Sequence, residues 1–122
     1  MRYIIVFLLG ACGYGLLEIL WRGYTHWTMA LTGGFCMTMI FLVNESMPEA
    51  ALSAKCLLGS AIITSAELIV GVTVNIILKW NVWDYSSLPM NFMGQICLPY
   101  TVLWYFLCIP VFWICTQVGR IF

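Results

Sequence analysis

Residues 56–78 read CLLGSAIITSAELIVGVTVNIIL, and this stretch carries one charged residue, Glu67, between Lys55 and Lys79. If the stretch is a helix, each lysine lies about 18 Å from Glu67 along the axis, since an α-helix rises about 1.5 Å per residue. The lysines can therefore reach opposite headgroup layers, which leaves Glu67 near the middle of a hydrocarbon core about 30 Å thick. An ionised carboxyl at that depth is costly, and such groups usually face a cavity or a partner. We therefore expect function to be focused on Glu67.

The composition is typical of a membrane protein. Of the 122 residues, 63% are hydrophobic and 8% are charged, and the mean hydropathy is +0.99. Soluble domains carry about 25% charged residues, so this chain has too few to cover a surface in water. The formal net charge is zero, and no basic run or acidic tail indicates a nucleic-acid partner. We expect an integral protein embedded in the lipid bilayer.

Common catalytic and metal-binding motifs are missing from the sequence. The six cysteines lie in apolar surroundings and form no C-x-x-C pair, so we expect them to pack as small apolar residues. Neither G-x-x-x-x-G-K-[ST] nor H-E-x-x-H nor G-x-S-x-G occurs. We therefore expect no enzymatic activity, no catalytic residues, no metal site and no cofactor.

Four apolar segments predict an all-α, polytopic membrane protein with four transmembrane helices. Helices satisfy their own backbone hydrogen bonds in lipid, and each segment is long enough to span. Ser46 and Glu49 have the S-x-x-E spacing of a capping box, which predicts that the third helix begins near Met47. Pro99 and Pro110 are expected to kink or unwind the fourth segment. The predicted transmembrane domain covers residues 1–122, with spans at about 3–20, 27–43, 52–79 and 94–116.

A weak internal repeat links the two halves of the chain. The pattern M-x-L-x-G-x-F-C at residues 29–36 recurs as M-x-F-x-G-x-I-C at residues 90–97. Each copy follows a predicted helix with an acidic residue, Glu18 in the first half and Glu67 in the second. Such a match can arise by chance in apolar sequence. Alternatively, the chain consists of two parallel helical-hairpin repeats that are related by an axis along the membrane normal. In the second case, Glu18 and Glu67 face each other.

Three charged residues are candidates for binding chemistry. Glu67 is either a carboxyl that binds a proton, a cation or a ligand, or a protonated group that joins helices through residues such as Thr64. Glu18 and Arg22 are four residues apart, in the favourable order for an ion pair on one helix face. They form either an interfacial pair or a partner for Glu67, because the planar guanidinium suits a carboxylate.

The longest predicted connection runs from Trp80 to Met93 and is rich in aromatic and polar residues. It is either an interfacial aromatic belt, to which we assign Trp80 and Trp83, or a re-entrant lid that folds back against the bundle. Gln95 is expected in the first turn of the fourth helix. Helix capping would explain Asp84 or Asn91; alternatively, the polar side chains line an entrance to the bundle: Asp84, Tyr85, Asn91 and Gln95.

Several of these residues form a pattern that resembles a known family. The segment at residues 15–22 has the form LLE-x-x-[YW]-R, and Ala66-Glu67 is followed seventeen residues later by WDYS. The run from Trp83 to Leu98, W-D-Y-S-x-x-P-x-N-x-x-G-x-I-C-L, is the most specific part. The chain resembles the small bacterial membrane proteins of the putative ABC-transporter type IV (CmpB-like) family. The resemblance implies a polytopic helical protein of the cytoplasmic membrane.

Together, these features predict a small membrane protein that oligomerises and binds or conducts a small polar or ionic species. Its substrate-binding residues would be Glu67, Glu18, Arg22, Asp84, Tyr85, Asn91 and Gln95. A homo-oligomer, with a dimer as the smallest form, is expected because four helices are few to enclose a pathway. The alternative is a non-transporting structural or accessory subunit that packs against a partner membrane protein. A weaker alternative is an intramembrane enzyme that acts on lipid.

Overall fold

A computed structural model describes residues 1–23 and 25–122 and, of Arg22, the backbone. In this part of the chain, the structure confirms the all-α prediction: four helices are each long and apolar enough to cross a membrane. Two short strands form a small antiparallel hairpin, with Asn91 opposite Cys97. The chain is therefore a multi-pass membrane protein. Its elements are α1 (Arg2–Arg22), α2 (Trp27–Ser46), α3 (Leu52–Gly71), a π-helical extension of α3 (Val72–Ile77), β1 (Asn91–Phe92), β2 (Ile96–Cys97) and α4 (Leu98–Ile121).

The capping-box prediction for the third helix is wrong. Ser46 is the last residue of α2, and the amide of the following residue, Met47, donates to the carbonyl of Val43 at 2.9 Å. The N-cap of α3 is Ala51, which makes no side-chain capping bond. Because α2 continues through Ser46, that residue belongs to the preceding helix end and is not available to start the next one.

The fourth helix begins at Leu98 and runs through both prolines. Pro99 lies in the first turn, where a missing N–H leaves no intrahelical hydrogen bond unmade. Pro110 lies inside the helix and removes one backbone donor there. The four residues before Leu98 form the hairpin turn and β2, and Gln95 is therefore part of that turn.

Close backbone contact joins α1 to α2. A Cβ on Gly33 would lie 2.5 Å from the Cβ of Tyr14 and 2.8 Å from the carbonyl oxygen of Gly10. A Cβ on Gly10 would lie 2.6 Å from the Gly33 carbonyl oxygen. Small residues at such crossings let transmembrane helices approach closely and gain van der Waals contact. The two glycines therefore set the distance between α1 and α2.

The two copies of the repeated sequence pattern have different structures. Residues 29–36 are helical within α2, whereas residues 90–97 form the β-hairpin. In the second copy, Met90, Met93 and Gly94 have positive φ angles of 54°, 56° and 70°. This left-handed backbone is incompatible with an α-helix. The pattern therefore does not mark equivalent elements of two hairpins.

Polar contacts join the helices at the end of the bundle that carries the termini. Lys55 is 8% exposed; its Nζ donates to Oδ1 of Asn44 at 3.0 Å and lies 6.0 Å from the ring centroid of Phe112. Asn44 in turn donates to Thr116 at 3.1 Å. Lys55 was expected to reach the headgroup layer, but its side chain is covered by α2 and α4.

The contact between α1 and α2 predicts a position-specific effect of one methyl group. Gly10→Ala places a Cβ against backbone that cannot move away, and such overpacking costs roughly 1–3 kcal/mol. Gly13→Ala is the matched control, because nothing lies within 4 Å of a Cβ at that position. We expect Gly10→Ala to lower the thermal unfolding temperature of the detergent-solubilised protein and Gly13→Ala to leave it unchanged or raise it. Equal unfolding temperatures in the two variants would contradict this packing.

Candidate functional site

Glu67 lies at the junction of α3, α4 and the loop between them. Its side chain is 2% exposed. The indole N–H of Trp104 on α4 donates to Oε1 at 2.5 Å, and the hydroxyl of Tyr85 in the loop donates to Oε2 at 3.2 Å. Among the described side chains, no basic group forms a salt bridge with Glu67. Each carboxyl oxygen is thus held by one neutral donor.

Helical periodicity directs Glu67 and Trp104 toward each other. The buried positions of α3 recur every three or four residues, which is the spacing of one helix face. On α4, Trp104 and Cys108 belong to a similar buried face. The two faces meet, so a carboxyl at residue 67 is placed against the α4 indole. The buried residues of the α3 face are Lys55, Cys56, Gly59, Ser60, Ile63, Ala66, Glu67 and Gly71.

Glu67 is hydrogen-bonded to a neighbouring helix, but its partner there is Trp104 and Thr64 does not take part. Thr64 instead contacts the hydroxyl of Thr101 on α4 at 3.2 Å, and Ser60 donates to the Thr101 carbonyl at 2.7 Å. These contacts also join α3 to α4, one to two turns away from Glu67. Ser60, Thr64 and Glu67 therefore all contribute to the α3–α4 interface, and Glu67 also reaches the loop.

Aromatic rings cover Glu67 on the side of the loop. The Tyr85 and Tyr100 rings stack with centroids 4.9 Å apart and planes 22° apart. Tyr100 stacks in turn on Trp104, at 6.1 Å and 28°, and Tyr14 of α1 lies 6.0 Å from Trp104. Both donors to Glu67 thus belong to one aromatic cluster, which we define as Tyr14, Tyr85, Tyr100 and Trp104. This cluster separates Glu67 from the space beyond it.

That space is a cavity of about 430 Å³ between α1 and α4. Its walls include the whole aromatic cluster and Glu18, whose side chain forms a hydrogen bond with the Tyr14 hydroxyl. Glu67 does not line the cavity but lies behind Tyr85 and Trp104. The other lining residues are apolar: Leu17, Trp21, Leu103, Phe106 and Leu107.

Glu18 and Glu67, predicted to face each other, lie on opposite sides of the aromatic cluster. They are close enough for their charges to interact. Two carboxyl groups therefore lie near the same cavity, one at its wall and one behind it. The side chain of Arg22, the third predicted member of this group, lies outside the described residues.

The loop between α3 and α4 packs against the bundle, as the lid alternative predicted. Asn75, in the π-helical extension, accepts hydrogen bonds from the amides of Val82 at 2.7 Å and Trp83 at 3.3 Å. Its amide donates to Oε1 of Gln95 at 2.7 Å. The Trp83 indole donates to the Gln95 carbonyl at 3.0 Å. These bonds fix the loop and, with it, the position of Tyr85.

The two loop tryptophans have different environments. Trp80 is exposed, and its ring lies 6.0 Å from the rings of His26 and Trp27. Trp83 is buried, so its assignment to an interfacial belt is wrong. The reason is the Asn75 side chain, which binds the Trp83 amide and turns the indole inward against Gly71.

Three other predicted site residues take part in hydrogen bonds of the loop itself. Asp84 accepts from the hydroxyl and the amide of Ser86, at 2.6 and 2.9 Å, and these bonds hold the pKa of Asp84 below its usual value. Asn91 donates to the Leu88 carbonyl at 2.9 Å. Neither caps α4, whose N-cap is Cys97. Gln95 is buried in the hairpin turn, so its prediction in the first helical turn is wrong.

Tyr85 is the predicted loop residue that reaches both Glu67 and the cavity. Burial and, after it, the negative charge of Glu67 raise the pKa of the Tyr85 hydroxyl above its usual value. The hydroxyl therefore keeps its proton at neutral pH. A neutral hydroxyl can donate one hydrogen bond and also accept.

The sequence analysis missed four residues of the site: Tyr14, Asn75, Tyr100 and Trp104. Tyr14 precedes Glu18 by four residues, so helical spacing indicates that the two side chains are neighbours. Asn75 is a polar residue inside an apolar stretch, which is also a detectable signal. Trp104 and Tyr100 carry no such signal, because aromatic residues are common in membrane spans and their contact with Glu67 depends on helix packing.

The role of Asn75 predicts a local effect on the loop. Asn75→Ala removes the acceptor for two loop amides, and leaving a buried donor unpaired costs about 1–3 kcal/mol. We expect hydrogen exchange of the Val82 and Trp83 amides to accelerate at least about tenfold, which corresponds to about 1.4 kcal/mol. Asn44→Ala, at the opposite end of the bundle, is the control. Similar exchange at these amides in both variants would contradict the role of Asn75.

Comparison with known proteins identifies the family. The model of the family described as putative ABC-transporter type IV matches residues 7–121, which is nearly the whole chain. No curated protein and no solved structure is significantly similar to it. The match includes Glu67, both of its donors and the described residues that line the cavity. The chain therefore belongs to the putative ABC-transporter type IV family, as its sequence pattern predicted.

Proposed function

We propose that this protein binds and conducts a small polar or ionic species through an oligomeric bundle in the cell membrane, with Glu67 as the central binding group. The family and the four apolar helices make it a membrane protein related to transport. The observation that carries the finer proposal is the Glu67 carboxyl, which is buried between two neutral donors directly behind a cavity.

The hydrogen bonds of Glu67 suit a group that changes its charge. As a carboxylate, Glu67 accepts from both Trp104 and Tyr85. As a carboxylic acid, it can donate to the Tyr85 oxygen while Trp104 still donates to the other carboxyl oxygen, because a tyrosine hydroxyl is both donor and acceptor. Proton uptake and release at Glu67 therefore need no rearrangement of its neighbours.

An ionised Glu67 also favours a bound cation. Its partners among the described residues are neutral, so none of these residues balances the carboxylate charge. A buried charge without a counter-charge is unfavourable, and either a proton or a cation relieves that cost. We assign this site to binding and not to catalysis, since neither contacting residue is a serine, cysteine or histidine nucleophile.

Access to Glu67 would come from the side of the cavity. Tyr85 lies between Glu67 and the cavity and belongs to a loop, so we propose that a shift of this side chain opens the route to Glu67. Toward the other end of the bundle, Cys108 and Phe112 belong to the apolar core, and Ser60 and Lys55 are buried and hydrogen-bonded to neighbouring helices. The described residues that line the cavity do not extend past Tyr14 on α1 and Leu107 on α4, so the cavity itself does not cross the bundle. We therefore propose that a homo-oligomer, with a dimer as its smallest form, completes the path.

The alternative, an accessory subunit that packs against a partner membrane protein, also has an observation in its favour. Glu67 is buried, and its two hydrogen bonds link α3 to α4 and to the loop. The same bonds would serve a purely structural purpose, as polar residues do between transmembrane helices. In that case the partner supplies the activity, and Glu67 contributes stability.

Glu67→Gln distinguishes the two proposals. A glutamine fits the site, because its carbonyl can accept from Trp104 and its amide can donate to the Tyr85 oxygen, but it cannot ionise. We expect proton or cation flux in liposomes that contain the purified protein to fall at least about tenfold, equivalent to about 1.4 kcal/mol in the barrier. Glu49→Gln is the control, because Glu49 is an exposed carboxylate between α2 and α3.

The outcomes separate conduction from structure. Equal flux in the wild type and Glu67→Gln would contradict a central role of Glu67 in conduction. No flux from the wild type, together with a lower unfolding temperature for Glu67→Gln, would favour the accessory subunit. Reduced flux at an unchanged unfolding temperature supports conduction.

A further inference from the structure

Several aromatic side chains line the cavity between α1 and α4. The aromatic cluster contributes Tyr14, Tyr85, Tyr100 and Trp104. Tyr85, Tyr100 and Trp104 form a continuous stack, with centroid distances of 4.9 and 6.1 Å. The faces of such rings carry partial negative charge and attract cations within about 6 Å of the centroid.

The charged groups around the cavity are acidic and therefore also attract cations. Glu18 is the charged member among the described lining residues, and Glu67 lies immediately behind the aromatic cluster. None of the described lining residues is basic, so these walls offer no counter-charge to an anion. The aromatic lining and the two carboxyl groups together favour a cationic ligand.

The remaining walls select for an apolar body. Leu17, Leu103 and Phe106 line the cavity and are 47%, 48% and 58% exposed. Because these residues also form the outer surface of transmembrane helices, the cavity opens sideways toward lipid. A ligand that enters there must be soluble in the bilayer, unlike a strongly hydrated metal ion.

We infer that this cavity binds an organic cation with an apolar body, such as a quaternary ammonium compound, which enters from the lipid side. This inference rests on the proposed function and names a substrate class for the same site. A quaternary ammonium has no N–H groups, so the rings can replace its water shell without unmade hydrogen bonds. The volume of about 430 Å³ lies within the roughly 300–1,000 Å³ of small-molecule sites.

Benzyltrimethylammonium and its neutral isostere neopentylbenzene test the inference, since they have nearly the same shape and differ in charge. Full-length protein in lipid nanodiscs is titrated with each compound, and tryptophan fluorescence reports occupancy, since Trp21 and Trp104 both line the cavity. We expect saturable quenching by the cation, with an affinity at least about tenfold above that for the neutral compound. Equal affinities, tighter binding of the neutral compound or no saturable binding would overturn the inference.

Variants of Tyr100 test the position of the cation. Tyr100 lines the cavity, and the hydrogen bonds to Glu67 come from Tyr85 and Trp104 instead. Tyr100→Leu is expected to weaken cation binding about five- to tenfold, the effect of removing one cation–π contact. Tyr100→Phe keeps the ring and should retain the affinity. Tyr105→Leu, on the same helix but outside the cavity, is the control. An unchanged affinity in Tyr100→Leu, or an equal loss in all three variants, would contradict cation binding at the rings.

The binding assay is independent of flux, so the two proposals can fail separately. Cation-selective binding that depends on Tyr100, without flux that depends on Glu67, would retain the inference about the ligand and contradict conduction. Flux that depends on Glu67, without cation-selective binding, would overturn the inference about the ligand alone.

Discussion

The two hydrogen bonds of the Glu67 carboxyl are the interaction on which the rest of the site depends. One bond comes from α4 and the other from the loop that connects α3 to α4, so a single side chain joins three parts of the structure. A buried carboxyl must have partners, because an unsatisfied polar group in an apolar interior is costly. Satisfying Glu67 therefore constrains where Trp104 and Tyr85 lie, and these two side chains form part of the cavity wall.

The loop is held by a second set of polar contacts around Asn75. The π-helical extension of α3 carries this residue, and local π-helical turns are often found at functional sites. Asn75 replaces the missing backbone partners of the Val82 and Trp83 amides and also binds Gln95. The hairpin and the loop are thus anchored beside α3, and Tyr85 extends from them to Glu67. Cavity, loop and carboxyl form one connected unit.

Some features of the site could be predicted from the sequence because they depend on local spacing. The presence of one acidic residue inside the third apolar segment is visible in the sequence, and the family follows from the run between Trp83 and Leu98. Two of the errors have a common origin. The capping box at Ser46 and the placement of Gln95 both assumed that a local pattern decides where a helix begins. In each case the residue belongs to the preceding element: Ser46 ends α2, and Gln95 lies in the hairpin turn.

The sequence by itself determined the class of this protein: four apolar helices, an acidic residue inside the third, and membership of a transport-related family. These properties depend on residues that are close together in the sequence, so hydropathy and motif spacing are enough to predict them. Only the tertiary structure decided what surrounds Glu67. Tyr85 and Trp104 are 18 and 37 residues away from it, and α1 contributes Tyr14 and Glu18 to the same cavity. Contacts across such separations depend on how helix faces pack and on where the loop is anchored, and no local pattern specifies either.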